Sequence, residues 1–264
     1  MSFNDTLLQL RLIARKKGKY VMSKLFDDYL TGHIDKKRTI SCLLCGSESN
    51  ITKEHVLPKW VFENDPKRTF TTDVNQLPQK YIATTLPMCS TCNTEILNTL
   101  ELYIQRTISE ADLKTKYYSS ENWDNIIRWL ETIDFKFQLM DITTKFRAHK
   151  EAGYVPFLAD FSIAEMRDFS IRTIQSKARL SLKRISTKDK SKRANSLIVG
   201  TTKVKTFNYF HKSGQFIHLE IPKYNKVFFY FFEREFEDDE DIETEVMNII
   251  KSVYEKDKQS ELNT

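Results

Sequence analysis

The chain contains four cysteines, in two C-x-x-C pairs: Cys42 with Cys45, and Cys89 with Cys92. No other feature of the sequence restricts the fold so strongly. Two residues between paired thiols let both sulfurs turn onto one tetrahedral ion at roughly 2.3 Å. Four thiolates close the coordination sphere, as structural zinc requires. Two disulfides, or simply buried thiols, are the competing reading. The polar N-terminus MSFNDTLLQLRL lacks the apolar stretch of a secretory leader, so a cytoplasmic, reducing location is expected and disulfides are not. A redox-active pair would be a single motif in a βαβ setting, not two matched ones. Between Cys45 and Cys89 lie 43 residues, more than a zinc ribbon needs, so further structure is expected inside the loop.

Several residues in and beside that loop carry chemistry. Gly46, after Cys45, suits the tight turn of a zinc knuckle. Glu54 and His55 follow, then Pro58 and Trp60. Thr84 to Pro87 reads as extended chain entering the second knuckle. Asn93 follows Cys92 and heads a helical pattern with Ile96, Leu97, Leu100 and Ile104 on one face. Taken singly, each residue has an ordinary structural reading. His55 is a core or surface histidine, Glu54 a solvated acid and Asn93 a helix cap. Glu101, about 80° round the helix from Asn93, reads as structural. Lys53 and Lys59 flank the centre as phosphate contacts or as ordinary solvated lysines.

The conjunction C-x-x-C, acidic-His, C-x-x-C-Asn resembles the HNH endonucleases, the ββα-metal or His-Me finger nucleases, in the sub-type held together by four cysteines. The resemblance covers roughly residues 40 to 107. It implies an α+β chain: a zinc-stabilised ββα-metal (HNH) finger with flanking helices and a C-terminal antiparallel sheet region. It implies that His55 is the general base, that Glu54 and Asn93 hold a catalytic magnesium or manganese ion, and that Cys42, Cys45, Cys89 and Cys92 hold structural zinc. Two positions depart from the pattern: Thr84 or Thr85 stands where the motif usually has Asn, and Leu97 where some members place a further His. The resemblance is compatible with a nuclease of defence or of a mobile element.

The chemistry is consistent with these assignments. Phosphodiester hydrolysis needs a water to lose a proton and a 3′ oxygen to leave with charge. A histidine with a pKa near 6.5 is a competent base at neutral pH. A hard cation held by one carboxylate and one amide oxygen would keep open positions for phosphate. Neighbouring strand residues point to opposite faces, so Glu54 and His55 need a local irregularity to converge. The alternative function is a catalytically silent zinc-finger module that binds nucleic acid or a protein partner.

Outside the finger the chain divides, in expectation, into an N-terminal helical basic arm (1–39) and a C-terminal α+β region (108–264), with the finger at 40–107. The arm reads as two helices, Asp5–Arg15 and Tyr20–Tyr29, separated by the basic run Arg15–Lys19, with Lys36-Lys37-Arg38 entering the finger. Trp123, Ile126, Ile127, Leu130, Ile133, Phe137 and Met140 form a helical core stripe. A second helix starts at Ser162, with Glu165 completing a capping box, and runs to about Ile185. Its basic end and the following loop offer Lys183, Arg184, Lys188, Lys190, Lys192 and Arg193 as candidate phosphate contacts. Strands are expected at Ser196–Lys205, Thr206–His211, Gln215–Ile221 and Lys226–Phe236, as a meander with a largely aromatic core. An acidic run, Glu233–Glu245, and a terminal helix follow.

Charge distribution refines the choice of partner. The net charge is only +5. By segment it is +5 for residues 1–41, −1 for 42–107, +9 for 108–230 and −8 for 231–264. A near-neutral finger between two basic arms suits a nucleic acid, expected to be DNA, better than the total suggests. A protein partner for the C-terminal region stays open, as does a role for the acidic end in shielding the basic surface. Charged residues make up 29% of the chain and no apolar run approaches the roughly 18 residues of a membrane span, so no membrane association is expected. Six glycines in all leave no phosphate-cradling loop, which argues against ATP use.

Overall fold

The computed structural model describes residues 2–30, 40–72, 78–110, 120–144, 147–149, 153–154, 169–187, 196–212, 215–232 and 243–252. The chain begins with one helix, α1 (Phe3–Leu30), where two were expected. Leu7, Leu10, Ala14, Gly18, Val21 and Leu25 recur at spacings of three and four and form a continuous buried seam. Gly18 would weaken an isolated helix by about 1 kcal/mol relative to alanine. Here it lies in the seam against Leu182, where an added Cβ would come within 2.5 Å of a Leu182 methyl. Close helix packing thus carries the helix through the expected break.

The finger follows. β1 (Ile51–His55) pairs antiparallel with β4 (Thr85–Cys89), Ile51 opposite Cys89 and His55 opposite Thr85. Between them lie a short helix α2 (Lys59–Phe62), a small hairpin of β2 (Thr69–Thr71) and β3 (Pro78–Lys80), and one 3₁₀ turn, Tyr81–Ala83. These elements are the structure anticipated inside the long cysteine loop. After β4 the chain enters a wide helical turn, Thr91–Leu97, closed by an Asn98 N–H to Asn93 carbonyl bond, and continues as α3 (Asn98–Glu110). Asn93 therefore sits inside the first helical turn instead of opening it. The stripe Ile96, Leu97, Leu100 and Ile104 is buried as the periodicity implied.

α4 (Ser120–Thr144) is the axis of the molecule, buried at every position from 129 to 140. The expected stripe is core from Ile126 to Met140, while Trp123 is only half-buried. The remaining sides of the helix are covered as well. Charged side chains on these covered sides are all paired: Glu131 accepts from Tyr230 Oη at 3.0 Å, Asp134 meets Arg184 and His211, and Lys136 meets Glu54 and Glu101. A minor strand pair, β5 (Arg147–His149) and β6 (Gly153–Tyr154), follows. α5 (Phe169–Ser186) packs on both α4 and α1; the start expected at Ser162 lies outside the described residues.

The C-terminal strands β7 (Leu197–Thr201), β8 (Asn208–Lys212), β9 (Phe216–Ile221) and β10 (Lys226–Phe231) form an antiparallel sheet in the order β7-β10-β9-β8. The expected meander holds for β8-β9-β10, but β7 crosses over to pair with β10, giving a Greek-key order. Phe207 joins the main core beneath the sheet, while Phe216, Phe229 and Phe231 lie on its other face against Val246 of a helix at residues 243–252. The aromatics are thus mostly core, with Phe210 the partly exposed exception.

A single buried cluster runs from Leu7 through the finger to Phe232. Gln105 Nε2 donates to Tyr224 Oη at 2.9 Å, and an Arg68 η nitrogen donates to Asn208 Oδ1 at 2.6 Å, tying the finger to the sheet. The boundaries expected near residues 39 and 107 divide motifs, not cores.

Candidate functional site

The four cysteines converge. Their sulfurs all lie within 4.8 Å of one another, and Cys45 and Cys89 are 3.7 Å apart. A tetrahedron with metal–sulfur bonds of roughly 2.3 Å has edges of about 3.8 Å, so the spacing fits a thiophilic tetrahedral ion. All four are free thiols. Local backbone explains the convergence. Gly46 adopts φ +79°, and its N–H bonds back to the Cys42 carbonyl at 2.8 Å, closing the first knuckle as its residue type implied. Cys89 ends β4 and Cys92 lies one helical turn on, so the second knuckle is a strand-to-helix corner. A hydrogen bond from Cys92 holds the Cys42 thiol well below the ordinary thiol range. Burial pushes Cys45 up to about 11, and its bond to Cys42 pushes Cys92 well above the ordinary thiol range. The cluster clamps the β1–β4 hairpin to the helix that follows. Val21 and Tyr20 of α1 pack against Gly46, and Lys24 pairs with Glu48 at 2.9 Å, so α1 braces the first knuckle.

His55 is the last residue of β1 and is half-buried. Its Nε2 lies 3.2 Å from the Ile82 carbonyl, and its ring sits 6.1 Å from that of Phe62. A carbonyl can only accept, so Nε2 carries the proton and Nδ1 keeps its lone pair. Burial, reinforced by the Lys59 ammonium, holds the imidazole below its ordinary value of 6.5, so it is neutral at pH 7. Lys53 lies on the same side of the strand, and both Lys53 and Lys59 are exposed.

Glu54 points to the opposite face and is buried, as strand alternation requires. Its carboxylate accepts from the Lys136 ammonium at 2.7 Å, which also reaches Glu101 at 3.0 Å. Burial alone would depress Lys136; the carboxylates of Glu101 and Glu54 outweigh it and hold the ammonium above its ordinary value. Glu101 is raised, by burial against the pull of Lys136 and with the push of Glu54. Asn93 donates through Nδ2 to Thr52 Oγ1 at 2.8 Å, and Thr52 donates onward to the Met88 carbonyl at 2.9 Å. Thr52 and Glu54 share a strand face, so Asn93 and Glu54 lie on the helix side of the hairpin and His55 on the other.

A magnesium or manganese ion does not fit this arrangement. It would have to displace a buried ammonium from Glu54, and among the described residues only the four cysteines form a group of three or more His, Cys, Asp or Glu side chains able to hold a metal.

The basic residues divide. Lys183 is exposed on α5, whereas Arg184 is 8% exposed, paired with Asp134 at 3.3 Å and stacked over Phe232 at 4.2 Å. The expectation that Arg184 contacts phosphate is therefore corrected: it neutralises a fully buried carboxylate on α4. Burial would raise Asp134, but the His211 hydrogen bond at 2.6 Å, with Ser181 and Arg184, keeps it below its ordinary value. Lys188, Lys190, Lys192 and Arg193, like Lys36-Lys37-Arg38, lie outside the described residues.

Sequence reasoning missed Lys136. Its signal is a lysine between Phe135 and Phe137 in a run that is otherwise core.

No family model, no curated protein and no solved structure matches the chain. Among the described residues, no helix is long and apolar enough to cross a membrane.

Proposed function

We propose that the protein is a zinc-stabilised HNH-type finger that hydrolyses phosphodiester bonds in DNA, with His55 as general base. One observation carries the reading. The four-cysteine cluster locks a β-hairpin to a helix, and the hairpin's first strand ends in a neutral histidine oriented by a backbone carbonyl. Zinc held by Cys42, Cys45, Cys89 and Cys92 has no open position, so it shapes the finger and takes no part in the reaction.

In this reading His55 Nδ1 takes the proton of a water as the water's oxygen attacks phosphorus. The 3′ oxygen leaves with the bonding pair, and Lys53, on the same side of β1, offsets its charge. No step passes through a divalent ion at Glu54 and Asn93, because Lys136 already neutralises Glu54.

That same pairing supports a second reading, a silent zinc finger that only binds. The two readings separate on one experiment. Purified protein is incubated with plasmid, single-stranded DNA, branched DNA and RNA, without added divalent ion and with magnesium or manganese, beside a His55→Ala variant of equal zinc content. Cleavage that disappears in the variant supports the nuclease. Binding without cleavage under every condition supports the silent module.

A further inference from the structure

We infer that α1 and α5 together form a nucleic-acid backbone-binding flank, with Arg15 and Lys19 on one helix and Arg179 and Lys183 on the other. It rests on the nucleic-acid reading of the finger but not on hydrolysis. Residues 6–26 of α1 contain six basic and no acidic side chains, and α5 contains five basic and none acidic. Two helices of one sign are costly to pack side by side unless something of opposite charge covers them.

Two contacts fix how the helices lie. Gly18 of α1 touches Leu182 of α5, and Arg15 Nε donates to the Ser186 carbonyl at 2.8 Å. Going back along α1 is going forward along α5, so the pair is antiparallel. At about 100° per residue, Arg15 and Lys19 stand about 60° and 100° round from Gly18. Arg179 and Lys183 stand about 60° and 100° round from Leu182 by the same count. In an antiparallel pair, equal offsets of equal sign fall on the same side. That side faces away from α4, where Ser181 and Arg184 meet Asp134, and all four cations on it are exposed.

The cations stand about 6 Å apart along each helix and are separated across the pair by an interaxial distance of about 8–10 Å. Point charges and forks spread in this way meet phosphates, not base edges, so the recognition is sequence-independent. An anionic membrane is the lesser match. A helix lying on lipid exposes a continuous apolar stripe; here Leu7, Leu10, Ala14, Val21 and Leu25 are buried, and the exposed Leu8, Leu12, Tyr20 and Leu180 are interspersed with exposed cations.

The test is fluorescence anisotropy of a fluorescein-labelled DNA duplex over a series of salt concentrations, in a His55→Ala background so that nothing is cut. One variant carries Lys19→Ala, Arg179→Ala and Lys183→Ala. A charge-matched control carries Lys203→Ala, Lys205→Ala and Lys212→Ala, three exposed residues outside the two helices. The first should raise Kd at least tenfold at moderate salt and flatten the log–log salt slope by about 2.7, at about 0.9 for each phosphate no longer neutralised. The control should change Kd far less, and thermal unfolding should be alike in both. Equal weakening by the two variants, an unchanged Kd in the first, or wild-type binding to phosphatidylserine vesicles but not to DNA would overturn the inference. Cleavage by the otherwise wild-type chain is followed in parallel. Cleavage with an unaltered Kd in the first variant would refute the flank alone, whereas a raised Kd without any His55-dependent cleavage would refute hydrolysis alone.

Discussion

Replacing Lys136 with methionine should be among the most damaging single changes in the molecule, and its cost should depend on pH. The side chain is 2% exposed and faces Glu54 at 9% and Glu101 at 17%. At an effective dielectric of about 20, unit charges at these separations attract by about 5–6 kcal/mol each. Desolvation of three charged groups and repulsion between the carboxylates offset much of that. Breaking a buried pair from one side typically costs about 3–5 kcal/mol. The partial opening of Glu101 to water places this case near the lower figure. For a chain of this size that is a fall in Tm of roughly 6–12 °C. Glu101 is already held above its ordinary 4.5, so the folded chain keeps that proton to higher pH than the unfolded chain does. Its stabilising effect is complete below 4.5 and disappears as pH rises through the raised value. Without Lys136 the site favours protonation still more, so the deficit against wild type should be largest at neutral pH and shrink toward about pH 5. Adding Glu54→Gln and Glu101→Gln to Lys136→Met should restore most of the stability. Thermal unfolding followed by circular dichroism at several pH values measures all of this. A Tm equal to wild type at pH 7, or a deficit independent of pH, would refute the electrostatic account of the triad.

Other outcomes follow from the same geometry. Elemental analysis should find one zinc per chain in wild type and none in Cys42→Ser, with loss of cooperative unfolding in the finger, since structural zinc contributes on the order of 10 kcal/mol of apparent binding energy. Gly46→Ala should lower stability by about 1–2 kcal/mol in denaturant titration, because the left-handed φ strains any side chain and Val21 already lies against the site. A base must be neutral, so the cleavage rate should stay flat above pH 6.5 and fall only below His55's depressed value; Lys59→Ala should move the inflection up toward 6.5.

The parts of the fold that follow from local pattern were legible in the sequence. Two C-x-x-C pairs implied one metal-sized cluster, Gly46 implied a tight turn, and the stripe from Ile96 to Ile104 implied the helix that follows. Pairings between distant segments were not legible. The acidic-His motif is local, but Lys136, 82 residues beyond Glu54, decides what that carboxylate touches. Arg184 read as a surface cation because its partner Asp134 lies 50 residues away on another helix. The break expected in α1 fell on the run Arg15–Lys19, whose Gly18 only makes sense once Leu182 is beside it. The β7 crossover is likewise invisible to strand periodicity, which fixes faces but not neighbours.

Whether His55 acts as a base is decided by the cleavage rate of His55→Ala relative to wild type, at matched zinc content and matched DNA affinity. The expected fall is about 10²–10⁴-fold, the contribution of a positioned general base. A variant that cuts as fast as wild type would contradict that role.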